Sequence, residues 1–122
     1  MKRKEIFATL AMVLTISIAV AQEKVDYERE GNQTKVTYYY ENSDQARETG
    51  YFVNGVTHGT WVQYNRDGEV RMKAHYDQGK KVGTWFVWAD EGKSLYELAY
   101  EDNYLKRSHK WSLAKKDLLA DN

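Results

Sequence analysis

The chain has 122 residues, with 18 basic and 18 acidic side chains and a formal net charge of zero. That length accommodates one small domain, and that charge balance excludes the basic footprint of a nucleic-acid binder. Cys and Pro are both absent, so neither disulfides nor a rigid linker organise the chain. Aromatic residues, at 14%, are the remaining source of a core in so short a protein.

The first 21 residues read as a signal peptide. Lys2, Arg3 and Lys4 form a positive start, and Ile6 to Val20 is an apolar run broken only by Thr and Ser. Ala19-Val20-Ala21 is a small-x-small cleavage signal ahead of Gln22. The uncharged run is shorter than the roughly 20 residues a spanning helix needs. The absence of Cys excludes an acylated lipoprotein. Cleavage near Ala21 predicts a secreted, periplasmic or outer-envelope protein. Its remaining residues, 22–122, carry a net charge of −2, which gives no long-range pull towards anionic lipid.

The segment from Gln22 to Arg29 reads as an entry segment or edge strand. Thr34 to Glu41 is β-rich in composition, Asn42 to Gln45 is a turn, and Ala46 to Val53 is a second strand. Asn54-Gly55 is a tight-turn dipeptide. Thr60 to Tyr64 is a strand, and Asn65-Arg66-Asp67-Gly68 is a turn with Gly68 at the position that wants positive φ. Val70, Met72, Ala74 and Tyr76 then alternate with Arg71, Lys73 and His75. That is period two, the mark of a strand with one face to bury. Tyr96, Leu98 and Tyr100 fall on the same phase one unit later. Residues 104–122 leave the pattern and read as a C-terminal cap, with Ser112 capping a short helix through Leu113, Leu118 and Leu119.

The pattern is a repeat of 24 residues. Gly55, Gly59, Trp61, Tyr64, Gly68 and Tyr76 return as Gly79, Gly83, Trp85, Trp88, Gly92 and Tyr100. Units run over about 28–51, 52–75 and 76–99 within a domain spanning 22–103. Counting by 24 places Lys35 and Thr37 of the first unit where the others have the second Gly and the Trp. It places Arg107 and His109 there in a partial last copy, Asp44 in the place of Gly68, and Asn103 in that of Gly79. Asp and Asn tolerate the left-handed region, so both turns can survive. Degraded outer copies are what the ends of a stack look like. The fold expected is all-β, with tandem hairpins forming an elongated, twisted antiparallel sheet.

The motif Gly-x-x-x-Gly-x-Trp-x-x-Tyr/Trp-x-x-x-Gly, at Gly55 to Gly68 and again at Gly79 to Gly92, resembles the MORN repeat, and specifically its bacterial variant type. The resemblance is specific over 52–100 and looser over 28–51. It implies a scaffold of successive hairpins that acts by binding. The family name records a proposed membrane association, and some bacterial relatives carry antitoxin or immunity labels. No catalytic residues are common to the family, so the resemblance implies none here.

Strict recurrence favours reading the aromatic residues as the core between hairpins. Alternation nevertheless puts Trp61 and Trp85 on the opposite side of their strands from Val62 and Tyr64, and from Phe86 and Trp88. Large apolar groups on both sides leave one side for binding, with Trp61 and Trp85 its expected markers. The paired glycines lack the spacing and the following helix of a phosphate loop. His58, His75 and His109 lack zinc-ligand spacing, and the acidic turns lack a calcium ladder. No catalytic, cofactor or metal site is expected. A nucleotidyltransferase such as nicotinate-mononucleotide adenylyltransferase would need a βαβ fold and a second His after Thr57-His58-Gly59-Thr60, and neither pattern is present. The expected function is a secreted, non-enzymatic binding scaffold with a protein partner. The alternatives are an immunity or antitoxin-like protein and a surface lipid or glycan binder.

Overall fold

The computed structural model describes residues 23–113 as one open antiparallel sheet. Residues 1–21, where the signal peptide is expected, lie outside the described residues. The strands are β1 (Val25–Glu30), β2 (Gln33–Tyr39), β3 (Ala46–Val53), β4 (Val56–Tyr64), β5 (Val70–Asp77), β6 (Lys80–Lys81), β7 (Gly83–Ala89), β8 (Ser94–Glu101) and β9 (Tyr104–Ser112). Their order across the sheet is β1-β2-β3-β4-β5-β7-β8-β9, with β6 also paired to β5.

Tight turns and longer loops alternate along the chain, which puts them at opposite ends of the sheet. Asn54-Gly55, Gln78-Gly79 and Asp102-Asn103 are two-residue turns with both residues at positive φ (51 and 78, 49 and 83, 51 and 73). That geometry has the twist of the strands it joins. Asn103 thus holds the left-handed place expected of it. Asp44 does not; the left-handed residue of its loop is Asn42, at φ 54. The reason is loop length. Tyr40 and Gln45 close one loop through a backbone hydrogen bond of 3.0 Å, and Asn65 and Glu69 close the next at 2.8 Å, so the first holds one more residue. The tight turns are tied to the hairpin before them. Gly79 N donates to Thr57 O at 2.8 Å, and Asn103 N donates to Lys81 O at 2.9 Å.

One face of the sheet is packed along a row. Val36 pairs with Gly50, Trp61 with Ala74, and Trp85 with Leu98. Large side chains alternate with small ones, so each indole can lie over its neighbour's backbone. A Cβ on Gly50 would lie only 2.0–2.3 Å from atoms of the Trp61 ring. Trp61 and Trp85 are each 6% exposed. Their Nε1 groups donate to Tyr51 O (3.2 Å) and His75 O (3.1 Å), so neither buried N–H lacks a partner. Phe52, Trp61, Tyr76, Trp85 and Tyr100 form a ladder with successive centroids 5.2, 6.4, 5.2 and 4.9 Å apart, mostly edge-on. Each such pair adds about 0.5–1.5 kcal/mol beyond its buried area.

Gly59 and Gly83 create the offset that brings the indoles inward. Both are left-handed, at φ 72 and 69. Between the positions facing Thr49 and Tyr51, β4 passes from Val62 to His58, two residues more than β3 uses. The chain facing β5 makes the same excursion between Val87 and Lys81. Lys35 stands at this place in β2, which keeps a continuous register along β3 there. Val36, fully buried, therefore takes the place in the row that counting by 24 gave to Thr37. In β9 the excursion is one residue, so Ser108 rather than His109 faces Leu98.

Beyond residue 103, where the repeat domain was expected to end, the chain stays paired to the sheet as far as Ser112. The turn at Asp102-Asn103 folds the chain back, and Tyr104–Ser112 joins the sheet as β9 instead of forming a separate cap. Leu118 and Leu119, expected in the tail helix, lie outside the described residues.

Candidate binding surface

The twelve residues singled out by recurrence divide by role. Gly55 and Gly79 sit in tight turns, Gly59 and Gly83 in the strand excursions, and Gly68 and Gly92 in the longer loops. Trp61, Tyr76, Trp85 and Tyr100 belong to the packed face. Tyr64 closes β4 opposite Val70, and its carbonyl accepts a hydrogen bond from the Tyr40 hydroxyl. Trp88 alone of the tryptophans in the motif points to the other side. Trp61 and Trp85, expected to mark an open binding face, are instead in the core, where their indoles complete the row described above.

The opposite face carries a second aromatic group. Lys73 pairs with Phe86, and Phe86 with Glu97, so Phe86 lies away from the packed row. Trp88 is two residues further along the strand and stacks on Phe86, with centroids 6.2 Å apart and planes 29° from parallel. Trp88 pairs with Leu95, which pairs with Trp111. The His109 ring meets Trp111 edge-on at 4.2 Å. Phe86, Trp88 and Leu95 are half-buried, and Trp111 is 49% exposed. Three strands thus place three aromatic rings and a leucine side by side on a solvent-facing surface. Polar groups border it: Glu97, His109 and Arg107 flank a shallow depression towards the tight-turn end.

Trp88 also lines an open groove of about 1110 Å³ at the long-loop end, between residues 65–71 and 87–92. Arg66, Arg71, Asp67 and Glu91 give it charges of both signs. The loop is held in shape locally. Asp67 Oδ1 accepts from Glu69 N at 3.0 Å, and Asp90 Oδ2 accepts from the buried Ser94 hydroxyl at 3.0 Å. The Arg66 guanidinium lies over the Tyr40 ring, 4.7 Å from its centroid, and fastens one long loop to the next. Asp90 and Glu91 are consecutive left-handed residues, φ 52 and 56, a conformation that Asp tolerates and that is costlier for Glu91.

A few titratable groups are shifted by structural contacts. Burial raises the Tyr76 phenol above the ordinary tyrosine value. A hydrogen bond to Lys24 (2.8 Å) lowers the Asp44 carboxyl, and the same contact raises Lys24. Among the described residues no three His, Asp or Glu side chains gather as a metal would need. His58 and His75 are engaged separately: Gln78 N donates to His58 Nδ1 at 3.3 Å, and His75 Nδ1 lies 3.1 Å from the Thr60 hydroxyl.

Sequence parity alone separates Phe86 and Trp88 from Trp85. It does not find Leu95 or Trp111, because their place beside Trp88 depends on the register of β8 and β9. No protein-family model matches the chain, and neither does any curated protein.

Proposed function

We propose that this protein is a secreted, non-enzymatic binding module of the MORN-variant type, built from tandem hairpins and acting in the bacterial envelope on a protein partner. The observation that carries this reading is the division of aromatic residues between faces. One set, with Trp61 and Trp85, is consumed by packing, while Phe86, Trp88, Leu95 and Trp111 face solvent together. Flat aromatic groups on a hydrogen-bonded sheet bind with little loss of side-chain freedom. The repeat reading is supported by contacts that recur 24 positions apart, such as Trp61 to Tyr51 O and Trp85 to His75 O. A toxin neutralised by this face would be a partner of the same chemical kind.

A glycan ligand is the second reading, favoured by the groove in which Trp88 adjoins Arg71, Asp67 and Glu91. Aromatic faces flanked by charged hydrogen-bonding groups suit sugar rings. Capture separates the two. The immobilised protein is exposed to envelope and culture-supernatant extracts, beside Trp88→Ala and Trp111→Ala variants checked for folding. The reading predicts one protein retained stoichiometrically, with affinity reduced about tenfold or more in a variant. Retention unchanged in both variants would contradict the proposed face, and retention of glycan alone would establish the second reading.

A further inference from the structure

We infer that copies of this chain associate head to tail, with β9 of one copy pairing antiparallel to β1 of the next. β1 and β9 are the two ends of the strand order, so each leaves one side of its backbone without a strand partner among the described residues. Such edges are templates for further strands unless they are blunted. Here the two edges carry opposite charge. β1 (Val-Asp-Tyr-Glu-Arg-Glu) has three acidic groups and one basic. β9 (Tyr-Leu-Lys-Arg-Ser-His-Lys-Trp-Ser) has Lys106, Arg107 and Lys110, with no acidic residue. Two β1 edges repel one another, as do two β9 edges, whereas β1 and β9 attract.

The topology makes this junction continuous with the sheet. Every neighbouring pair along the strand order is antiparallel, and that order contains eight strands, so β9 runs opposite to β1. A second copy displaced along the sheet therefore presents its β1 antiparallel to β9 with the same face inward. The packed row fixes the register. It ends at Ser108, which faces Leu98, and begins at Tyr27, which faces Val36. Joining Ser108 to Tyr27 of the next copy places His109 opposite Asp26, and Arg107 opposite Glu28. Tyr27, 67% exposed on the single chain, is then covered on its open side. One pair opposes the association: Lys106 meets Arg29. Asp26 enters with one oxygen already accepting from the Tyr39 hydroxyl, at 2.6 Å. A contact between two different edges propagates, giving chains of copies or closed rings instead of a symmetric dimer.

Sedimentation velocity of the protein, purified after its host has processed it, tests this over a range of concentrations at low and high ionic strength. The expected result is a mass that grows with concentration in steps of one chain and falls as salt screens the edges. Glu28→Arg and Arg107→Glu should each weaken association about tenfold, and the double variant Glu28→Arg/Arg107→Glu should recover it, because each junction then regains an opposite pair. Arg29→Glu should tighten it. Circular dichroism of each variant separates a lost contact from a lost fold. A monomer at every concentration, assembly indifferent to both single reversals, or a limiting dimer would overturn the inference. No partner protein enters this experiment, so its outcome is independent of the binding function proposed above.

Discussion

At the scale of single residues, the core depends on what lies beneath each indole. Gly50 and Ala74 hold equivalent places under Trp61 and Trp85, and they are not equally spacious. Trp61 rests against the place a Cβ on Gly50 would take, whereas Ala74, 24 positions on, carries its methyl group fully buried in one cluster with Trp85. Gly50→Ala should therefore move Trp61 towards the placement Trp85 already adopts. The expected cost is about 1–3 kcal/mol, as for an overpacked core and not for a destroyed one, read from the urea midpoint. The Lys24–Asp44 pair makes a different prediction. Its hydrogen bond lowers the carboxyl, so its contribution is present above the ordinary aspartate range and lost as pH falls through the lowered value. Both groups are exposed, so the melting temperature should hardly change. A carbon-detected titration should put the Asp44 midpoint below that of an unpaired aspartate, and Lys24→Ala should return it to the ordinary value.

At the scale of elements, the tight turns offer the clearest comparison. Asn54-Gly55 and Gln78-Gly79 have the same pair of left-handed residues, but Gln enters that region less readily than Asn. Gln78→Asn should stabilise the protein by roughly 0.5 kcal/mol, visible as a raised denaturation midpoint. The backbone donation from residue 78 to His58 is kept in that variant. These turns were legible because Asn-Gly, and glycines at a fixed interval, state a backbone requirement directly. The strand Ala46–Val53 was legible for a related reason, since it is bounded by such turns. The place of Val36 was not. Whether a strand makes an excursion depends on how it pairs with its neighbour, and one Lys in place of a Gly shifted the row by a residue. β9 was missed because alternation signals a strand with one buried face, and every residue of this edge strand is exposed. The candidate surface was half legible in consequence: Phe86 and Trp88 could be read from parity, whereas Leu95 and Trp111 reach them only through pairing.

At the scale of the molecule, a thin open sheet obtains its core by laying each large side chain across the strand beside it. One face is thereby packed, and the other is free to carry the surface around Trp88 and Trp111. The account stands on that division of four tryptophans into two pairs. Hydrogen exchange of the four indole N–H groups, followed by NMR, tests it most directly. Trp61 and Trp85 donate to Tyr51 O and His75 O from buried positions, so their exchange should require opening of the sheet and be slowed accordingly. Trp88 and Trp111 should exchange at rates set by solvent. Two slow and two fast signals, assigned by single Trp→Phe variants, are the predicted result. Fast exchange at Trp61 or Trp85, or protection at Trp88 and Trp111 in the isolated protein, would contradict it.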